Sequence, residues 1–126
     1  MLSMSFYRHR PLTGSLIQLL VLRILYEEPM HGYRLLGEVN RLLAGRRTLK
    51  TGSLYTILRR MERSGLLESE WETISDRLNR RVYRLSDKGI ERLRAGMGMV
   101  EEQRKVLKEM AEFYRRHFKG AGDDQV

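Results

Sequence analysis

Cysteine is absent from this chain of 126 residues, which excludes disulfide bonds and metal sites built on thiolates. The three histidines, His9, His31 and His117, are scattered without a ligand spacing, so neither a metal nor a cofactor is expected. The most apolar stretch, residues 16–26, is too short to cross a bilayer, and no cleavage pattern of a secretion signal follows it. We therefore expect a protein of the reducing cytoplasm without a membrane partner.

Patterns that carry catalysis are also missing. The sequence holds no serine–histidine–aspartate constellation, no glycine-rich phosphate loop after a strand and no paired carboxylates at a useful spacing. We therefore do not expect an enzyme. A chain of this length is sufficient for one domain with a hydrophobic core and short for two.

Acidic residues are in the minority, with 16 aspartates and glutamates against 24 lysines and arginines. The formal net charge is +8 and the pI is about 10.2, which indicates a polyanionic partner but does not define a fold. Many of the basic residues fall in one block of the sequence: Arg46, Arg47, Lys50, Arg59, Arg60, Arg63, Arg77, Arg80, Arg81, Arg84 and Lys88.

The stretch from Thr51 to Gly65 predicts a helix with two different faces, capped by Thr51 and ended by Ser64 and Gly65. One face is an apolar stripe at the i, i+3, i+4 and i+7 positions: Leu54, Ile57, Leu58 and Met61. The other carries hydroxyl and guanidinium groups: Ser53, Thr56, Arg59, Arg60 and Arg63. Such a face can donate hydrogen bonds to phosphates and to base edges in a major groove. The pattern predicts a DNA recognition helix, although a merely solvated helix face is the simpler interpretation of the arginines.

Two helices precede this one in the sequence. Ser15 and Gln18 match a capping box, which predicts a first helix that ends before Pro29. A second helix is expected to start near Gly32 and to end at a cap on Gly45. After the third helix the apolar period changes from 3.6 to 2.

Residues 67–72 alternate between two faces, residues 73–80 are polar and turn-like, and residues 81–85 alternate again with Tyr83 and Leu85 on one side. Two such strands around a charged loop form a hairpin wing. The order of three helices and two strands predicts a winged helix-turn-helix, a mainly α fold with a small β-hairpin.

A long last helix is expected after Ser86, which is suited to be its N-cap. Apolar residues recur along it at a 4-3 spacing that Arg104 interrupts, and such a stripe predicts dimerisation through a partner helix. The expected interface residues are Leu93, Met97, Val100, Leu107, Met110, Ala111 and Tyr114. The predicted parts are an N-terminal arm over 1–13, the winged domain over 14–86, the dimerisation helix over 87–119 and a flexible tail over 120–126.

Several short segments, in this order and spacing, resemble the PadR family of transcriptional regulators. They extend from about Leu19 to Leu93 and are His31-Gly-Tyr33 after Pro29, Gly52-Ser-Leu-Tyr55, Leu58-Arg-Arg-Met-Glu62, Ser64-Gly-Leu-Leu67, Trp71 and Tyr83-Arg-Leu-Ser-Asp-Lys-Gly89. The resemblance implies a homodimer that binds an inverted-repeat operator, usually as a repressor, and that a small aromatic or hydrophobic effector releases. The chain departs from the family pattern at Thr56, where a proline is frequent, and in the wing over 77–81.

The expected DNA contacts combine the helix, its preceding turn and the wing. They are Tyr33, Lys50, Thr51, Ser53, Tyr55, Thr56, Arg59, Arg60, Arg63, Arg77, Asn79, Arg80 and Arg81. We expect the hydroxyls at the helix start to contact phosphates or bases, the helix arginines to reach either, and the wing to contact phosphates or the minor groove.

Trp71 has two interpretations. It is either part of the wing core or, together with Met97 and Phe6, the wall of an apolar effector cavity. Two other functions are open at this stage. A winged helix can dock an acidic protein through its basic face without any DNA, and an architectural DNA binder would need no effector.

Overall fold

The computed structural model describes residues 12–120, with side chains from Leu16 onwards. The described chain contains four helices and three strands. The helices are α1 (Leu12–Glu27), α2 (Gly32–Leu43), α3 (Thr51–Arg63) and α4 (Asp87–His117), and the strands are β1 (Met30–His31), β2 (Leu67–Ser75) and β3 (Leu78–Leu85). This architecture confirms the predicted winged helix-turn-helix with a long C-terminal helix. Residues 1–11 and 121–126, and with them most of the predicted arm and tail, lie outside the described residues.

The cap of the first helix differs from the prediction. Helix α1 begins at Leu12, so Ser15 lies inside the first turn and is not the N-cap. In the sequence Pro11 directly precedes Leu12, and a proline is tolerated at a helix start while it disfavours helix in the residue before it.

The caps of the next two helices also shift by one residue. Helix α2 ends at Leu43, and its C-cap is Ala44, which has the left-handed φ of 54° expected for Gly45. Gly45 follows with a φ of 78°. Helix α3 has Lys50 as its N-cap, with no side-chain bond to the helix, and Thr51 is its first helical residue. The predicted end of α3 is confirmed, because Ser64 is its C-cap and Gly65 takes a φ of 81°.

The core forms where the apolar faces of α1, α2 and α3 meet one another and the base of the sheet. Its most deeply buried side chains, at most 2% exposed, are Ile17, Val21, Leu22, Leu35, Val39, Leu54, Leu58, Met61, Leu66 and Leu67. Leu93 of α4, at 8% exposed, belongs to the same cluster. Leu93 thus packs in the core of its own chain, and its place in a dimer interface stays a prediction.

The wing is longer than the sequence predicted. Strands β2 and β3 pair antiparallel from Leu67 with Leu85 to Ser75 with Leu78, with a register shift between Thr73 and Ser75. The predicted loop over 73–80 is therefore mostly strand, and only residues 76–77 remain as the turn. Polar cross-strand partners such as Thr73 and Asn79 leave no apolar alternation in this stretch, so its sequence resembles a loop.

A third strand was not predicted. The two residues of β1, Met30 and His31, pair antiparallel with Tyr83 and Val82, which gives a sheet in the order β1-β3-β2. The link between α1 and α2 is thereby fixed to the base of the wing.

Helix α4 begins as predicted at the cap Ser86, whose Oγ accepts a hydrogen bond of 3.0 Å from the Gly89 N–H and donates one to the Gly65 carbonyl. The chain divides into two compact units, one up to Leu93 and one from Arg94. Along the second unit the large apolar side chains are exposed: Met97, Met99, Val100, Val106, Leu107, Met110, Phe113, Tyr114 and Phe118. None of the described helices combines the length and the apolar character that a membrane crossing needs.

Candidate nucleic-acid interface

Helix α3 presents a polar face because its apolar stripe packs into the core, in which Ile57 is partly buried. Leu54, Leu58 and Met61 are at most 1% exposed, whereas Ser53 and the three arginines of the helix are on the surface. The exposed arginines are Arg59, Arg60 and Arg63. The two faces are thus separated as the sequence predicted.

The turn before α3 is held by a side chain that the sequence analysis missed. Asn40 of α2 accepts a 2.7 Å hydrogen bond from the Leu49 N–H at Oδ1 and donates a 3.1 Å bond to the Leu49 carbonyl from Nδ2. Leu49 itself is buried. This clamp sets the path of the chain into the N-terminus of α3. Lys50, Thr51 and Ser53 follow it directly and are all exposed.

The hydroxyl groups at the start of α3 differ in their availability. Ser53 is exposed, and among the described residues no hydrogen bond engages its hydroxyl. Thr56 is half-buried, and its hydroxyl already donates to the Gly52 carbonyl at 3.0 Å and accepts a 3.4 Å bond from Arg59 Nη2. A DNA contact by Thr56 would therefore compete with a bond inside its own helix.

Tyr55, which the sequence placed among the DNA contacts, packs on the start of α2. The hydroxyl and ring carbons of Tyr55 lie against Gly32, where a Cβ atom would be 2.7 Å from Tyr55 Cζ. Gly32 is buried and Tyr55 half-buried. The two residues belong to two of the short segments that carry the family resemblance, and here they form one packing contact.

This contact predicts a strong effect of a single methyl group. Gly32→Ala should lower the free energy of unfolding by about 1–3 kcal/mol, because the Tyr55 ring must move. Gly37→Ala in the same helix should instead raise it by roughly 0.5–1 kcal/mol, since no atom lies within 4 Å of the added Cβ and alanine favours helix. Urea unfolding of the two variants measures both changes. Equal midpoints would contradict the Gly32–Tyr55 contact.

Tyr33 lies one residue further along α2 and is 80% exposed. Its ring is therefore not packed between helices. The whole side chain is available at the surface, next to the buried Gly32.

Three arginines of the wing form ion pairs with glutamates. Arg80 pairs with Glu72 at 3.2 Å, Arg84 with Glu70 at 3.0 Å, and Arg81 with Glu62 of α3 at 3.4 Å. These pairs are surface ion pairs whose side chains are 30–63% exposed, so solvent screens them.

Other cations, on α3, in the turn before it and at the turn of the wing, have no such partner among the described residues. In the part of the chain that the structure describes, no ion pair engages Arg46, Arg47, Lys50, Arg59, Arg60, Arg63 or Arg77. We call these residues the free cations. They lie in the turn before α3, on α3 and at the turn of the wing.

Arg81 has the most contacts of the wing arginines. Its Nε donates a 2.7 Å bond to Ser69 Oγ, and Ser69 Oγ donates a 2.6 Å bond to Glu62 Oε2. The Arg81 guanidinium also lies 5.6 Å from the centre of the Trp71 ring. Arg81 thus joins the wing to α3, and a contact of its guanidinium with DNA would have to break this network. The exposed Asn79 and Arg77 towards the turn face no such competition.

Trp71 is 66% exposed, so it is not part of a wing core. The Arg81 guanidinium lies near its ring, and most of the side chain is open to solvent. Of the other residues proposed for an effector cavity, Met97 is 39% exposed in the second unit and Phe6 lies outside the described residues.

His31 is the N-cap of α2 and lies close to the wing. Its Nδ1 accepts a 3.3 Å bond from the Arg34 N–H. Burial lowers the pKa of the His31 imidazole below its ordinary value of 6.5, and the charges of Arg80 and Arg34 lower it further, against an opposing effect of Glu72. A proton on Nδ1 would also remove the cap bond.

The lowered pKa predicts that acid weakens the fold through His31. Above about pH 6.5 the imidazole is neutral in both the folded and the unfolded chain. Below this pH the unfolded chain binds the proton before the folded chain does, because the pKa is lower in the folded chain. The free energy of unfolding therefore falls as the pH falls. Thermal unfolding at pH 7.5 and pH 5.5 should show this loss in the natural chain. His31→Asn keeps an oxygen for the cap and should reduce the loss. If both chains lose the same stability, His31 has no part in it.

Comparison with known proteins agrees with this geometry. The model of the transcriptional regulator PadR-like family matches residues 21–95, more than half of the chain. An uncharacterised protein from Lysinibacillus sphaericus is 26% identical over 70 residues, and the match covers 56% of this chain and 64% of the relative.

Solved structures share the fold. A proposed transcriptional regulator from Thermoplasma acidophilum has a TM-score of 0.68 and 27% identity over 79% of this chain and 94% of that one. A PadR family regulator from Clostridium difficile R20291 has a TM-score of 0.61 and 28% identity over 77% and 96%. PadR from Bacillus subtilis, solved in complex with operator DNA, has a TM-score of 0.60 and 18% identity over 65% and 46%, a likeness of fold alone. The family match over residues 21–95, together with the shared fold, leads to one conclusion: the chain belongs to the PadR-like family of transcriptional regulators.

Proposed function

We propose that this protein is a sequence-specific DNA-binding repressor of the cytoplasm, which binds an inverted-repeat operator as a homodimer and is released by a small hydrophobic or aromatic effector. The observation that carries the DNA-binding part is the group of free cations on α3 and at the wing turn. Those on α3 lie opposite the apolar stripe that packs into the core, on a helix whose start is fixed by Asn40. A surface of this kind can enter a major groove without first breaking ion pairs.

The relative with operator DNA supports the same interpretation. Bacillus subtilis PadR was solved bound to its operator, and this chain has the fold of that protein. Within this proposal, phosphates or base edges are contacted by the three arginines of α3: Arg59, Arg60 and Arg63. Phosphates near the helix N-terminus are contacted by Ser53, Thr51 and Lys50. Arg77 and Asn79 reach the backbone or the minor groove from the wing, and the exposed Tyr33 contacts the backbone beside α2.

The homodimer is supported by the exposed apolar stripe of α4. In a two-fold dimer the two recognition helices would lie about 34–36 Å apart, one turn of the duplex. Truncation after Leu93 removes the whole exposed stripe while it keeps the core residue Leu93. The truncated chain should be monomeric by light scattering, and a truncated dimer would contradict the role of α4.

The central experiment is selection of duplexes from a random pool by the purified full-length protein. We expect enrichment of an inverted repeat with half-sites about one helical turn apart, and binding that weakens as salt is added. If no sequence is enriched and binding does not depend on salt, the alternative function, docking of an acidic protein on the basic face, takes its place. The sign of regulation follows from the position of the selected site relative to a promoter.

The effector part is supported by the open ring of Trp71. The chain has a single tryptophan, so its fluorescence reports on this one position. Titration with planar aromatic compounds should quench or shift the emission and release bound operator at the same concentrations. A DNA complex that none of the compounds dissociates would indicate an architectural binder without effector.

A further inference from the structure

Three polar side chains join the wing to the last turn of α3. Ser69 Oγ of β2 donates a 2.6 Å hydrogen bond to Glu62 Oε2 of α3, and Arg81 Nε of β3 donates a 2.7 Å bond to Ser69 Oγ. Arg81 Nη2 lies 3.4 Å from the same Glu62 oxygen. Each of the three side chains thus contacts the other two. We call Glu62, Ser69 and Arg81 the wing–helix bridge.

The strand register explains why the wing contributes two residues to this bridge. Ser69 is paired with Tyr83 and Trp71 with Arg81, and cross-strand partners share one face of a sheet. Tyr83 is 5% exposed and belongs to the core at the base of the wing. Arg81 lies two residues further out on the same face of β3. The bridge therefore continues, with polar groups, the contact that fixes the base of the wing.

The bridge differs from the other ion pairs of the wing in what it connects. Arg80 pairs with Glu72 and Arg84 with Glu70, and all four residues belong to the hairpin itself. The Glu62 carboxylate belongs to α3 and its side chain is 30% exposed, less than those of Glu70 and Glu72. Hydrogen bonds to a charged group that is partly shielded from water are stronger than those between neutral groups. The bridge therefore restrains the wing relative to α3.

We propose that Glu62, Ser69 and Arg81 are positioning residues, which fix the spacing between the wing turn and α3 so that both contact one operator half-site at the same time. The inference rests on the DNA-binding function proposed above and assigns part of its sequence specificity to side chains that do not touch DNA. Arg77 and Asn79, at the outer end of the wing, reach their contacts through this spacing. Arg81 acts through Glu62 and Ser69.

A restrained wing favours specific over non-specific binding. Non-specific affinity comes from charge, which the free cations supply wherever the wing lies. Specific affinity needs the contacts of α3 and of the wing together, and a loose wing must first be ordered, which costs binding free energy. Loss of the bridge should therefore lower the affinity for the operator and leave the affinity for random duplex unchanged.

Ser69→Ala tests the bridge without a change of net charge. In fluorescence anisotropy we expect the full-length variant to bind the selected operator roughly 3- to 10-fold more weakly, and random duplex as tightly as the natural chain does. Ser69→Thr keeps the hydroxyl and should restore operator affinity.

Tighter binding of Ser69→Ala to both duplexes would overturn the proposal, because Arg81 would then be a DNA contact that the bridge holds back. Unchanged operator affinity would also overturn it, as would an equal loss on both duplexes.

A matched pair of variants separates the bridge from the mere loss of a carboxylate. Glu62→Ala and Glu70→Ala each remove one negative charge, but Glu70 pairs with Arg84 inside the wing, at 3.0 Å. Both variants should bind random duplex more tightly by a similar factor. The ratio of operator affinity to random-duplex affinity should fall in Glu62→Ala alone. Equal ratios in the two variants would mean that Glu62 acts through its charge only, which contradicts a positioning role.

Hydrogen exchange of the free protein provides a readout that does not depend on DNA. In Ser69→Ala the backbone amides of the outer wing, from the pair of Trp71 and Arg81 to that of Ser75 and Leu78, should exchange faster, while those of α1 and α2 keep their protection. Unchanged exchange in the wing would overturn the proposed restraint. Failure of the DNA-binding function is recognised separately, because selection with the natural chain would then enrich no sequence.

Discussion

Replacement of Arg60 by alanine is expected to weaken operator binding by about 1–3 kcal/mol if its guanidinium reaches a base. Arg60 is exposed on the polar face of α3, and no ion pair engages it in the described part of the chain. Its whole charge is therefore available to DNA. Loss on the operator but little on random duplex would assign Arg60 to base recognition. An equal loss on both, with a salt dependence reduced by about one ion, would assign it to phosphate.

The matched control is a pair of charges that already neutralise each other. Arg80 and Glu72 form a 3.2 Å ion pair on the wing, with side chains 45% and 49% exposed. The double variant Glu72→Ala with Arg80→Ala keeps the net charge and should change operator binding little. If the double variant loses as much affinity as Arg60→Ala, the distinction between free and paired cations is wrong. Fluorescence anisotropy with one labelled operator serves for both measurements.

Gly89→Ala is expected to cause the largest loss of stability, about 3 kcal/mol. An added Cβ would overlap the Leu66 carbonyl oxygen and lie 3.2 Å from Leu66 C and from Leu85 Cδ2. The same carbonyl accepts a 3.1 Å bond from the Ser86 N–H, so a shift of the backbone also loses a bond. Backbone atoms cannot rotate away as a flexible side chain can, which makes the overlap costly.

Gly98→Ala is the control in the same helix. No atom lies within 4 Å of its added Cβ, so alanine should stabilise α4 by roughly 0.5–1 kcal/mol through its higher helix propensity. Circular dichroism during urea unfolding compares the two variants with the natural chain. A Gly89→Ala protein as stable as the natural chain would show that α4 does not dock on Leu66 as closely as the structure has it.

The helices and the wing could be predicted because their patterns are local. The stripe of α3, the cap at Ser86 and the stop at Gly65 each depend on residues within one or two turns of the chain. The strand β1 could not be predicted in this way. Its two residues become a strand only because Tyr83 and Val82, far along the sequence, provide backbone partners.

The sequence predicted which residue types form the candidate site, but not the contacts that these residues make. The sequence identified Arg81 as basic and exposed, but its network with Ser69 and Glu62 depends on the register between β2, β3 and α3. Tyr55 likewise has the chemistry of a DNA contact, and only the packing on Gly32 shows that its ring is in use. Asn40 had a local signal, since an asparagine inside a helix often bonds to backbone nearby.

The outer edge of the sheet has a consequence for how the protein behaves at high concentration. Strand β2 is an edge strand of nine residues, long enough to template a further strand from another molecule. This edge strand carries three carboxylates, those of Glu68, Glu70 and Glu72. A second β2 would have to pair beside these charged side chains and the arginines bound to them, which disfavours edge-to-edge aggregation of the wing.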